Sequence, residues 1–292
     1  MKKTFLKILF CTIAFIMILA IKNMVKANTI DSVNIVINLS QDGVGHVSEE
    51  WQTSLDEGTE IKHSFKNLGD CKISNFKVVD EFGNNFTEEK NWKSNDNIEI
   101  NKQKCAMVNT TDGVDLYWGI GQYGSNAYFL EYDITNFVSN LKDQNQMIYF
   151  EFFQKGREEI RHVGINIASE DTLFTNIAEV WGYGSDNGLY QINAIGEIYY
   201  SSLGKLETNE SVIMLVRFNP NTFTNITNSI NHDISYYEKK VDKKDTGILT
   251  NKGIILALLI FILAGIAIFI FLNIRKKETN KTRKKCKNSQ LH

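Results

Sequence analysis

The sequence of 292 residues lacks the short motifs that mark common enzymes, and it holds a single proline, Pro220. Because asparagines flank Pro220, the chain has no LPxTG cell-wall sorting signal. Neither G-x-S-x-G nor H-E-x-x-H occurs, and Gly119–Gly124 has the glycines of a phosphate loop without its lysine or a following helix. These absences leave no recognisable catalytic machinery, so we expect the protein not to be an enzyme.

An apolar run near the N-terminus predicts that the middle of the chain is exported. Lys2, Lys3 and Lys7 precede the run Ile8–Ile21, and Val25-Lys26-Ala27 suits signal peptidase. Residues 1–27 are therefore predicted to be a signal peptide, cleaved before Asn28. The alternative is an uncleaved anchor; in both cases the middle of the chain lies outside the cell.

A second apolar run, Ile254–Leu272, contains no charged side chain. As a helix its nineteen residues would extend about 28 Å, close to the ~30 Å hydrocarbon core of a bilayer. Residues 275–292 then carry eight basic residues against one acid, which places them in the cytoplasm. The sequence predicts a transmembrane helix at 252–274, a basic cytoplasmic tail at 275–292 and a single-pass type I protein of the cell membrane.

The exported part is strongly acidic. Between Asn28 and Asn251 there are 18 Lys and Arg against 33 Asp and Glu, a net charge of −15. Nucleic acids and anionic lipid surfaces bind through clustered basic side chains, so we expect neither as a partner of this domain. Contact with the membrane is predicted through the single span alone.

Cysteine is scarce, and only Cys71 and Cys105 fall in the exported part. They form either one disulfide or a pair of buried free thiols, and the sequence leaves both alternatives open. No histidine lies close to either cysteine in the sequence, and the histidines lack ligand spacing among themselves. We therefore predict no metal site and no cofactor.

Alternating side chains predict a β-rich domain. Val33–Leu39 and Val47–Thr53 alternate apolar and polar residues around Asp42-Gly43, the signature of a hairpin. Similar short runs, including Ile98–Ile100, recur as far as Phe218, and none has a sustained helical period. We predict an all-β fold, an antiparallel β-sandwich at 28–223 of one or two lobes, followed by a polar stalk at 224–251.

Several of these runs occur in an order typical of one family. The matching segments are Asp42-Gly43, Val47–Glu50, Asp115–Trp118, Tyr128–Ile134, Met147–Phe153 and Trp181–Gly184. Over about Ile30–Phe223 the chain resembles the YciQ-like predicted bacterial membrane proteins, whose extracytoplasmic N-terminal domain has no known function. The resemblance implies an exported β-rich domain on a bacterial membrane and no activity. Family members continue into further transmembrane segments, whereas one span is predicted here.

Aromatic residues provide the candidate contact. Trp51 and Trp118 stand in alternating runs, which predicts that they pack in the core. Trp92 stands between Lys90 and Lys93 in a polar loop and is therefore the predicted exposed aromatic contact. Such a surface residue suits a module that binds an envelope protein or glycan.

Two functions are compatible with these observations. The first is a binding or scaffolding module displayed in the bacterial envelope. The alternative is an envelope glycan hydrolase, with a carboxylate dyad drawn from Glu49-Glu50, Glu88-Glu89 and Glu158-Glu159. Because neighbouring residues of a strand point to opposite faces, such a dyad would need one member from each of two pairs.

Overall fold

The structure is a computed structural model that describes residues 28–94, 97–169, 177–185, 188–193 and 196–245. The predicted signal peptide, transmembrane helix and basic tail lie outside the described residues. Within the described ranges no helix is both long and apolar enough to cross a membrane. One compact unit reaches to Glu238, and a second, from Lys239 onward, is described as far as Asp245.

The predicted hairpin is confirmed. Its strands are β1 (Thr29–Leu39) and β2 (Gly45–Leu55), paired antiparallel. Their side chains alternate between buried and solvent-facing positions, as a half-buried strand requires. Gly43 forms the turn with φ of +77°, and a Cβ atom there would lie 2.9 Å from the Cβ of Val138. Glycine is needed at this turn for both reasons.

The hairpin lies at the centre of a seven-stranded sheet in the order β13-β14-β11-β1-β2-β8-β4. Every neighbouring pair is antiparallel except β1 and β11. The remaining strands are β4 (Lys72–Asp80), β8 (Gly124–Thr135), β11 (Val163–Ala168), β13 (Gly188–Ile192) and β14 (Ile198–Ser202).

Two four-stranded sheets complete the domain. The second sheet has the order β3-β7-β6-β5, and the third has the order β12-β15-β10-β9. The strands of the second are β3 (Glu60–Lys66), β5 (Thr87–Glu88), β6 (Lys104–Asn109) and β7 (Gly113–Gly119). The strands of the third are β9 (Ser139–Asn140), β10 (Gln146–Phe153), β12 (Ile177–Tyr183) and β15 (Val212–Phe218). β3 is therefore an edge strand of the second sheet.

The three sheets share one hydrophobic core. Trp51 of the first sheet and Trp118 of the second meet edge to face, with ring centroids 5.1 Å apart. Phe65 of the second sheet lies 5.7 Å from Phe150 of the third. Each such buried aromatic contributes about 1.5–3 kcal/mol by leaving water. The predicted β-rich fold and the predicted core positions of Trp51 and Trp118 are confirmed, and the common core leaves one lobe between Asn28 and Glu238.

One predicted strand is wrong. Ile98–Ile100 lies in a short helix, α1 (Ile98–Asn101), instead of a strand. The side chain of Asn97 accepts a hydrogen bond from the main-chain N–H of Glu99 at 3.0 Å, which caps the helix. An N-cap asparagine satisfies a helical N–H that a strand would not present, so it favours the turn over the strand.

The structure describes residues 224–245 of the segment that the sequence predicts to be a polar stalk at 224–251. Phe223 is buried, and the chain beyond it continues over the domain to a helix, α2 (Ile234–Asp245). Ile234 and Tyr237 pack in a second apolar cluster with Leu141, Met147 and Leu215. Their spacing of three residues brings both side chains onto one face of the helix, and burial of that face holds this stretch on the domain.

Candidate functional site

A cleft of about 560 Å³ opens beside β3, at the edge of the second sheet. We call it the β3 cleft. Residues from both faces of β3 line it, including the buried Ile61 and His63 and the outward-facing Lys62 and Ser64. The cleft therefore runs along the edge of the strand instead of over one face. The opposite wall is formed by 152–158, where the chain leaves β10.

The floor of the cleft is aromatic and includes a buried histidine. The ring of His63 lies 5.2 Å from that of Trp51 and 5.2 Å from that of Phe153, edge to face in both cases. Burial, together with the nearby charge of Arg157, lowers the pKa of His63 to about 3. The imidazole is therefore neutral at neutral pH. Its Nε2 atom has no hydrogen-bond partner within the described part of the chain.

The same cleft is lined by Arg157, a cation whose hydrogen bonds go to main-chain carbonyls. Its two Nη atoms donate to the main-chain carbonyls of Glu158, Leu206 and Glu207 at 2.6, 3.2 and 3.1 Å. Burial lowers its pKa to about 10, so the guanidinium stays protonated at neutral pH. The charges of the Glu210 and Glu159 carboxylates oppose this fall in pKa without direct contact. Among the described residues no carboxylate oxygen forms an ion pair with Arg157, and its Nε has no partner.

Lysines add positive charge at the rim. Lys62 lies 4.0 Å from the Asp115 carboxylate and Lys66 lies 3.4 Å from that of Asp112, with both lysine side chains about half exposed. Such exposed pairs are weak and rearrange readily. The charged lining residues are Lys62, Lys66, Lys155, Arg157, Glu60 and Glu158. The lining itself thus has four cations against two acids, within a domain whose net charge is −15, and Asp115 and Asp112 stand beside two of these cations.

Trp92 does not occupy the exposed position that the sequence predicts. Its indole is half-buried, stacks on Tyr117 with centroids 5.6 Å apart, and donates from Nε1 to Glu60 at 3.0 Å. The Glu60 carboxylate also accepts from Ser94 Oγ at 2.5 Å and from Asn101 Nδ2 at 3.2 Å. Because Glu60 begins β3, this network fixes the loop beside the mouth of the cleft, and Trp92 serves to brace it.

A second buried polar cluster lies behind Trp51. Trp51 Nε1 donates to one oxygen of the Glu49 carboxylate at 2.6 Å, and Tyr132 OH donates to the other at 2.5 Å. Burial raises the pKa of Glu49 to about 7, although both hydrogen bonds oppose that rise. Glu49 does not line the β3 cleft, and its neighbour Glu50 is bonded to Gln52 on the other face. Glu49-Glu50 therefore supplies no acid and base pair to the cleft.

The structure has Cys71 and Cys105 as free thiols. Cys71 donates from Sγ to the carbonyl of Asn136 at 3.4 Å, just before β4 begins. Cys105 contacts the main chain of Val78, seven residues farther along β4, a strand distance of about 20 Å. A disulfide needs Cα atoms within about 7 Å. Burial raises the pKa of Cys71 to about 12 and that of Cys105 to about 11, so neither thiol is reactive.

Metal binding has no candidate site in the part of the chain that the structure describes. No three side chains among its histidines, cysteines, aspartates and glutamates lie close enough together to hold an ion. The functional candidate is therefore the β3 cleft, with His63, Arg157 and the two lysines of β3 as its polar groups. Of these, none was singled out by the sequence.

Comparisons with known proteins leave the function open. No family model matches the chain, and no curated protein matches it. The native leukotriene A4 hydrolase of Saccharomyces cerevisiae matches in structure with a TM-score of 0.40 and 9% identity, over 66% of this chain and 29% of that one. An M1 zinc metallopeptidase from Deinococcus radiodurans matches with a TM-score of 0.33 and 9% identity, over 65% and 42%. The chain thus spans less than half of either enzyme, and likenesses this weak support no conclusion about activity.

Proposed function

We propose that this protein is a membrane-anchored binding module whose β3 cleft holds an anionic partner in the bacterial envelope. The observation that carries the proposal is a cleft whose lining has more cations than acids in an acidic domain, with a partly buried Arg157 that bonds to main-chain carbonyls and forms no ion pair among the described residues. A guanidinium that bonds to carbonyls and not directly to a carboxylate can still form a charge-assisted pair with an incoming anion. The three sheets, packed over one core, support the proposal that such a module displays a β-sandwich ectodomain.

The anchor in this proposal rests on the sequence. The apolar segment at 252–274 and the basic tail at 275–292 favour a single span with the domain outside the cell, and the ordered matches favour kinship with the YciQ-like membrane proteins. Protease added to intact protoplasts should then digest the domain and spare a tag placed after His292. Loss of the tag under those conditions would contradict the topology without bearing on the cleft.

The distribution of charge restricts the attraction of an anion to the cleft itself. At a distance the domain repels anions because of its net charge of −15, whereas inside the cleft the cations dominate. Two unit charges 4 Å apart near a protein surface interact by about 4 kcal/mol, and salt at 0.15 M screens such forces beyond about 8 Å. We therefore expect an affinity that comes from close contacts and falls as salt rises.

The test uses the full chain purified in detergent and fluorescent polyanions. Poly-L-glutamate, alginate and polyphosphate are titrated by fluorescence anisotropy, with neutral dextran as the blank. The double variant Lys62→Glu, Lys66→Glu should weaken binding of the preferred polyanion at least tenfold. Lys77→Glu, Lys104→Glu is the matched control, because these lysines also pair with carboxylates, at 3.9 and 3.8 Å, but do not line the cleft. Equal losses in both variants, or no polyanion binding above dextran, would refute the proposal.

A further inference from the structure

The main chain of β3 has free hydrogen-bonding groups along the cleft. At the two ends of its pairing with β7, Ile120 N donates to Thr59 O and Asn67 N donates to Asp112 O, both at 3.0 Å. Both bonds follow the register of the β3–β7 ladder, and their residues next to β3, Thr59 and Asn67, have odd numbers. In an antiparallel pair, residues that bond to the partner strand alternate with residues whose N–H and C=O point away. The even-numbered residues of β3 therefore direct their main-chain groups away from β7.

These groups face the cleft. β7 is the one neighbour of β3 in its sheet among the described strands, and the cleft is lined by β3 residues of both faces. Outside the β3–β7 ladder, no main-chain hydrogen bond of the described residues uses Lys62 or Ser64. The β3 cleft thus presents a row of unpaired donors and acceptors, which is the template that an added strand needs.

We propose that the β3 cleft binds an extended acidic segment of a partner protein, which adds to β3 as a further strand. The proposal rests on the proposed function for the charge of the ligand and adds its chemical class and its mode of binding. A strand repeats its main-chain groups every two residues, about 6.8 Å, and so matches the groups of Lys62 and Ser64 in turn. A polyuronate such as alginate has no amide donors at all.

The two faces of β3 define the pattern of the partner segment. Lys62 and Lys66 share the outer face, so the side chains opposite them should be acidic. His63 and Ile61 share the inner face beside Trp51 and Phe153, so the alternate side chains should be apolar. The preferred ligand is a strand in which acidic and apolar residues alternate.

A second copy of this chain is the occupant that charge disfavours. Pairing two β3 strands would bring the lysines of one copy toward the lysines of the other, and edge lysines are a common defence against such pairing. An acidic strand removes this repulsion. The lysines therefore favour the addition of an acidic strand and disfavour the addition of a second β3.

The experiment uses the full chain in detergent and two labelled heptapeptides of the same composition. In one, glutamate and valine alternate; in the other, the glutamates and the valines are segregated. The alternating peptide should bind at least tenfold more tightly. Two N-methylated forms of it test the backbone, one methylated at every glutamate amide and the other at every valine amide. One form should bind at least tenfold more weakly, and the other should retain its affinity. If the strand adds antiparallel, the form methylated at the glutamates binds weakly; if it adds parallel, the form methylated at the valines does.

A variant of β3 tests the same bonds from the protein side. Ser64→Pro removes an N–H that points away from β7, a position at which an edge strand tolerates proline. It should abolish binding of the alternating peptide and preserve the circular dichroism spectrum, whereas Ser64→Ala should bind normally. If Ser64→Pro does not fold, the N-methylated pair decides alone.

The outcomes separate this inference from the proposed function. Equal binding of both N-methylated peptides, or alginate binding without peptide binding, would overturn strand addition and leave an anion-binding cleft. Concentration-dependent dimers that Ser64→Pro abolishes would assign the edge to a second copy and would also overturn the inference. If none of the polyanions binds, the proposed function fails first.

Discussion

Two buried polar clusters contact Trp51, and they differ in how completely their hydrogen bonds are satisfied. In one cluster the Glu49 carboxylate receives the indole N–H of Trp51 and the hydroxyl of Tyr132. In the other cluster the ring of Trp51 packs against His63, whose Nε2 has no partner in the described part of the chain. Buried polar groups in native proteins are nearly always paired, so the unpaired His63 agrees with the ligand cleft that we propose.

The largest effect is predicted for substitutions of Trp51, the residue that both clusters contact. Trp51→Ala should destabilise the domain by about 3–5 kcal/mol, because it opens a cavity in the shared core and leaves Glu49 with one donor fewer. Trp51→Phe keeps a ring and loses the donor, so it should cost about 1–3 kcal/mol. Urea unfolding of the full chain in detergent, followed by intrinsic fluorescence, measures both. Equal losses in the two variants would show that the hydrogen bond to Glu49, and not packing, dominates.

The sequence predicted the Glu49 side better than the cleft side. The alternation of apolar and polar residues predicted that Trp51 packs in the core. This pattern is visible in the sequence because Trp51 lies in a hairpin, whose two strands are joined directly by the turn at Gly43. The cleft depends on contacts between distant residues. Trp92 is bound by Glu60, 32 residues away, and Arg157 by Leu206, 49 residues away. No periodicity reports such partners.

The missed helix has a similar cause. Ile234 and Tyr237 do have helical spacing, but in a segment rich in polar residues two apolar side chains do not make a period. Their burial depends on the pocket formed by Leu141, Met147 and Leu215, which only the folded third sheet provides. Here tertiary packing decided the structure of a segment whose local sequence favours a polar linker.

The second prediction concerns pH, which acts on the two clusters in opposite directions. The folded pKa of Glu49 is raised to about 7, so its stabilising effect is complete below the unfolded value of about 4.5 and is lost as pH rises through 7. The folded pKa of His63 is lowered to about 3, so its stabilising effect is complete above about 6.5 and is lost as pH falls toward 3. Between pH 4.5 and 6.5 the two slopes cancel.

Single variants should show the pH dependence of stability that Glu49 and His63 each cause. Glu49→Gln leaves His63 alone, so stability should rise with pH by about 1.4 kcal/mol per unit between 4.5 and 6.5. His63→Phe leaves Glu49 alone, so stability should fall with pH by a similar amount. Urea unfolding at pH 4.5, 5.5 and 6.5 compares both variants with the parent chain. Curves for Glu49→Gln and the parent that run parallel would mean that Glu49 does not titrate in this range.

The smallest effect is expected at Cys71 and Cys105, which belong to neither cluster. Cys71 bonds to Asn136 at one end of β4, and Cys105 contacts Val78 far along the same strand, so no cross-link constrains the unfolded chain. Reductant should therefore shift the melting temperature by less than about 1 °C, whereas loss of a real disulfide would lower it by several degrees. Mass spectrometry of non-reduced peptides from the full chain should find both thiols free, and a linked Cys71 and Cys105 peptide would require a different arrangement of β4 and β6.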